Sequence, residues 1–122
     1  LNAVVTPLYE LARETAARQP VTGEFAGVPF LLKDLVEVLG GARLTMGSRA
    51  YKDFVPGSDS EMVARFKRAG LMILGKTNVP VMLADWQAVN PVYGRTNNPH
   101  DLDRVPGDEG NDFGTIAFEW RF

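Results

Sequence analysis

Two short apolar runs, Val28–Leu32 ("VPFLL") and Leu71–Leu74 ("LMIL"), stand on either side of one well-marked helix. That arrangement narrows the fold more than any other feature of the 122 residues. Each run is continuous rather than alternating, as expected of a strand buried on both faces. Between them "SDSEMVARFKRAG" carries Ser58 and Glu61 at the spacing of a capping box. Met62, Phe66 and Ala69 fall on one face, and Gly70 is placed to end the helix. Strand, helix, strand predicts a parallel pair joined by a crossover, hence an α/β fold. A further helix is expected over "TPLYELARETAARQP", with Thr6 as cap and Pro7 in the first turn, and a short third one opened by Pro80. Residues 40–57 read as loop. From Asn90 onward the chain is turn-rich, and "TIAFEWRF" at the end reads as an edge strand or a frayed end.

The same stretch raises a false lead. "GLMILGKT", Gly70 through Thr77, satisfies the spelling of a phosphate-binding loop, which would make the chain a nucleotide binder. Such a loop needs a strand before it, a helix after it and backbone N–H groups open to the phosphates. Here a helix precedes it, Leu71 to Leu74 call for burial, and Asn78, Val79 and Pro80 interrupt any helix that follows. The residues favour core over nucleotide.

Composition excludes several other classes. With no cysteine there is no disulfide framework and no thiol nucleophile, which fits a reducing, cytoplasmic setting. A net charge of −2 without a basic tract offers nothing to nucleic acid. No apolar run approaches a membrane span of ~20 residues. The chain starts at Leu1 without a basic segment ahead of an apolar one, so no signal peptide is expected, and an upstream part is expected to be missing. The single histidine, His100, sits in the turn "NNPHDLD" beside Asp101, a solvated or capping position. One histidine and scattered carboxylates give no metal-ligand spacing, so no metal and no cofactor is expected. Trp86 and Tyr93 show no stacking pattern, and core filling is their default role.

Lys33 is the chemical oddity. It directly follows Phe30, Leu31 and Leu32, where a buried parallel strand should end. Ligands gather at such strand ends in α/β proteins. Desolvation there would lower its basicity and suit it to accept a proton near neutrality. Alternatively its stem packs while the charge reaches water or pairs with Asp34. The residues leave both readings open.

"GVPFLLKD", "GSRAY", "AGLMILGKTN" and "NPVYGRTNNPHDLDRVPG" follow one another in the order and spacing typical of the amidase signature family. The resemblance runs from the start of the chain to Gly107. It implies a single partial domain: a family-like part, 1–107, and a divergent tail, 108–122. The fold it implies is a fragment of the α/β amidase fold, a partial mixed or parallel sheet with covering helices. It also implies hydrolysis of a small-molecule carboxamide by a serine nucleophile, a second serine held by a cis peptide, and a lysine that corresponds to Lys33. The chain departs from that pattern after Gly107, where "DEGNDFGTIAFEW" replaces the serine- and glycine-rich run. No serine occurs after Ser60. The bridging serine has no counterpart. The nucleophile position falls at or near Thr115, and Asp112, Phe113 and Gly114 fall in the backbone stretch that would meet the oxyanion. β-Propensity and context favour Thr115 as an ordinary strand residue. Three readings follow: an amidase fragment with little activity alone; a small amidase using Lys33 and Thr115, as a homo-oligomer completing its pocket between chains; or a non-catalytic binding or assembly module.

Overall fold

The structure, a computed structural model, describes residues 1–18 and 21–106. Strand β1 spans Val4–Pro7, helix α1 Tyr9–Arg18, strand β2 Pro29–Lys33, helix α2 Glu61–Arg68 and strand β3 Met72–Thr77. The three strands form one mixed sheet in the order β1-β3-β2. The expected parallel pair is present as β2 against β3.

Strand β1 has no counterpart in the elements expected from sequence. Thr6 and Pro7, expected to start a helix, are instead antiparallel partners of Lys76 and Gly75. Gly75 allows this approach, because a Cβ there would lie 2.8 Å from the Thr6 carbonyl oxygen. Sheet pairing thus outcompetes the local cap signal, and α1 starts two residues past Pro7, at Tyr9.

Helix α2 forms as its pattern predicts, with shifted detail. Its N-cap is Ser60, not Ser58; the Ser60 hydroxyl accepts from the Val63 N–H. Val63, not Met62, is its fully buried residue. At the other end Gly70 has φ +88°, its N–H donates to the Lys67 carbonyl, and the Leu71 N–H donates to that of Phe66. This paired closure needs a left-handed residue, which glycine supplies without strain. A Cβ on Gly70 would also meet the Thr22 carbonyl oxygen at 2.7 Å.

Leu32, Leu39, Ala42, Val63 and Ile73 make the core, with Leu8, Phe30 and Phe66 packed against it. The Phe30 and Phe66 rings meet edge to face at 5.0 Å. Strand β3 runs beyond the apolar signal, through Lys76 and Thr77. That settles the spelling of "GLMILGKT": it is a helix closure followed by a strand, and Lys76 is fully buried within the protein. Residues 40–57 are loop except for one 3-10 turn, Arg49–Tyr51. Pro80 precedes a single 3-10 turn, Val81–Leu83, rather than a longer helix. A hairpin of β4, Val89–Asn90, and β5, Gly94–Arg95, follows. The final stretch "TIAFEWRF", expected as an edge strand or a frayed end, lies outside the described residues. No described helix is long and apolar enough to cross a membrane.

Candidate active site

Lys33 ends β2, opposite Thr77 in the parallel ladder. Side chains alternate along a strand, and here the alternation is sharp: Leu32 and Asp34 are fully buried while Lys33 between them is exposed. Lys33 lines a cleft of about 530 Å³ together with Asn78, Pro80, Leu83, Asp85 and Trp86. Half of the expectation for this lysine therefore holds. It sits at a strand end on a cleft, but the described residues do not desolvate it.

The desolvated lysine is Lys76. Its Nζ lies 2.9 Å from Asp34 Oδ1, with both side chains at 0% exposure, and it also donates to the Arg43 carbonyl at 3.2 Å. So Asp34 does pair with a lysine, but with one on the neighbouring strand rather than with Lys33. The rest of the Asp34 carboxylate is occupied too. The Thr45 hydroxyl donates to Oδ2 at 2.6 Å, and the Thr45 N–H donates at 3.2 Å. The Thr45 Oγ1 in turn accepts from the Gly47 N–H at 3.1 Å. A buried ion pair is tolerable only when its remaining hydrogen-bonding capacity is met in this way.

The cleft's far wall is the segment 78–88. Asn78 and Asn90 hold its ends. Asn90 Nδ2 donates to Asn78 Oδ1 at 2.6 Å and to the Val79 carbonyl at 2.7 Å, while its Oδ1 accepts from the Val92 and Tyr93 N–H groups. Asn78 Nδ2 donates to Thr96 Oγ1 at 2.9 Å and to the Gly94 carbonyl at 3.2 Å. Between these anchors Met82 and Leu83 take left-handed backbone angles, φ 48° and 58°, unusual for residues with a Cβ. Both are exposed, and Trp86 is 90% exposed. Trp86 is therefore no core filler, contrary to the expectation from sequence; the Asp85 carboxylate turns the chain there by accepting from the Trp86 and Gln87 N–H groups. Tyr93 is half-buried beneath the Arg43 guanidinium, 5.3 Å from its ring centre.

Of the remaining site candidates, His100 lies in an exposed turn, its N–H donating to Asn98 Oδ1. Asp112, Phe113, Gly114 and Thr115 lie outside the described residues. Lys76, Asn78 and Asn90 were not among the residues that the sequence singled out. A signal for Lys76 was present: like Lys33, it comes soon after an apolar run. The two asparagines had none, because their partners come from distant turns.

The family model Amidase matches residues 1–108. The 6-aminohexanoate-cyclic-dimer hydrolase of Paenarthrobacter ureafaciens is 38% identical over 120 residues, covering 96% of this chain and 24% of that protein. The enzyme of the same description from Pseudomonas sp. (strain NK87) is 37% identical over 120 residues, again covering 96% of this chain and 24% of that protein. Among solved structures, a 6-aminohexanoate cyclic dimer hydrolase complexed with substrate superposes with a TM-score of 0.81 at 38% identity, covering 88% of this chain and 22% of that one. A bacterial aryl acylamidase of the amidase signature family gives 0.76 at 37% identity, covering 88% and 24%. The chain thus spans about a quarter of the length of such relatives. By sequence and by fold, the chain belongs to the amidase family.

Proposed function

We propose that this chain is the lysine-bearing portion of an enzyme that hydrolyses the C–N bond of a small carboxamide, with little activity alone. One observation carries the reading: Lys33 is turned out of the sheet into a cleft, while both of its neighbours along the strand are turned in. With the cleft covered by the rest of such an enzyme, which would strip water from the amine, Lys33 in its neutral form accepts the proton of a serine hydroxyl. That serine then takes the proton of the attacking serine, and the proton is finally delivered to the departing nitrogen. By resemblance the two serines have no counterpart in this chain, so its own residues supply the base and one wall of the cleft.

Amide-hydrolysis assays on the purified chain should show no turnover above that of Lys33→Ala. A chimera in which residues 1–106 replace the matching segment of the 6-aminohexanoate-cyclic-dimer hydrolase should hydrolyse amide. Adding Lys33→Ala to that chimera should lower kcat by roughly 10²–10⁴-fold, the usual contribution of a positioned base. A chimera that keeps its rate without Lys33 would refute the assignment. Sequencing the locus beyond Phe122 bears on the other half of the reading, since a serine-bearing amidase remainder is expected there.

A further inference from the structure

Strand β2 does not say in its own sequence which side is the core. Phe30, Leu31 and Leu32 are all apolar, so the inside-outside alternation that usually fixes a strand's register is missing. A slip of one residue would exchange Leu31 for Leu32 at little change in apolar burial. It would also turn Lys33 into the core and Asp34 out of it. The ladder already contains such a step. Phe30 pairs with Ile73 but Leu31 pairs with Gly75, so Leu74 is passed over in a bulge. Beyond the bulge Leu32 pairs with Lys76 and Lys33 with Thr77, and the Asp34 N–H donates to the Thr77 carbonyl at 3.1 Å.

We propose that the buried Asp34–Lys76 pair is a register lock, and that Asp34, Lys76 and Thr45 are positioning residues that present Lys33 to the cleft. The pair closes in one phase of the strand only. In the slipped phase Lys76 would be left as a lone buried cation, with Asp34 outside and Lys33 driven in beside it. Apolar side chains of similar volume could fill the same space with equal stability, yet they would not distinguish the two phases, and specifying register is the best-attested use of a buried polar pair. The lock also reaches the opposite wall of the cleft. Thr45, bonded to Asp34, is followed by Met46, whose carbonyl accepts from the Met82 N–H at 2.8 Å. One carboxylate therefore ties both the strand that carries Lys33 and, through one loop, the segment facing it.

The purpose given to the lock rests on the proposed role of Lys33, but the lock is read from the backbone without any hydrolysis. In the isotope-labelled chain, NMR cross-strand contacts should join Leu32 to Lys76 and Lys33 to Thr77 in a single set of signals. Asp34→Leu combined with Lys76→Met should stay folded but split the β2 signals into two or more sets, with these contacts reduced by about half or more. Val63→Ala, which loosens the core without touching the pair, should keep one set. A single set with the native contacts in the double variant would overturn the proposal. Should the double variant not fold, amide exchange in the unaltered chain decides. The Asp34 and Thr45 amides should exchange within about tenfold of the Val63 amide, whereas exchange about 100-fold faster would show that this region opens locally and locks nothing. An inert chimera with its register intact would sink the hydrolase reading alone, and a slipping strand in an active one would sink the lock alone.

Discussion

Lys33 and Lys76 show how one residue type takes two fates a strand apart. Each comes soon after an apolar run, and each could be written as a desolvated amine. Only Lys76 is one, because β1 and β2 flank its strand and Asp34 lies within reach; Lys33 belongs to the outer strand and its side chain faces away from the core. Breaking the buried pair leaves the Asp34 carboxylate out of water with its Thr45 donors but no counter-charge. Lys76→Met is therefore expected to cost about 3–5 kcal/mol of unfolding free energy. Urea unfolding at 25 °C measures it, and a loss below about 1 kcal/mol would mean that water reaches Asp34. Lys33 was legible as the chemically distinctive lysine because it stands at a strand end. Its exposure was not legible, because three consecutive apolar residues carry no information on which face turns outward.

Elements were read more reliably than their ends. The helix between the parallel strands and its glycine closure were legible from spacing alone, since caps are local chemistry. Strand β1 was not, because "VVTP" acquires its conformation from pairing with Gly75 and Lys76, some seventy residues away. At the N-terminal side of α2, Asp59 joins the helix to the loop before it, accepting from the Gly40 N–H at 2.8 Å and from Lys67 Nζ at 2.6 Å. Partial burial pushes the Asp59 carboxyl up, but the Lys67 ammonium and the Gly40 N–H together outweigh it and hold it below its ordinary 3.8. A carboxyl that ionises more readily when folded stabilises fully above its unfolded value and loses that contribution as pH falls through the lower folded one. Asp59→Asn should thus remove about 0.5–1 kcal/mol at pH 7 and progressively less as pH is lowered from the ordinary carboxylate value toward about 2, as expected for a partly solvated pair. Urea midpoints across that range test it. An equal loss at both ends would assign the effect to the neutral hydrogen bonds instead.

At the scale of the whole molecule, the described residues supply a three-stranded sheet whose two faces both call for cover. Leu31 on β2 remains 40% exposed, and Phe25 and Val28 just before it are 49% and 44% exposed. A small sheet with this much uncovered apolar surface has little to set against chain entropy. The isolated chain should melt broadly and below the roughly 45–65 °C common to mesophile domains, with aggregation rising with concentration. A sharp, reversible transition above that range in calorimetry would show that the described residues suffice as a folding unit. The indole of Trp86 offers a different kind of handle. Standing almost wholly in water at the lip beside Lys33, it should emit at the red limit for tryptophan, and anything that settles over the recess will shift that light toward the blue. With Trp120 replaced by phenylalanine, the polypeptide becomes its own unlabelled optical gauge of whether the recess is vacant or covered.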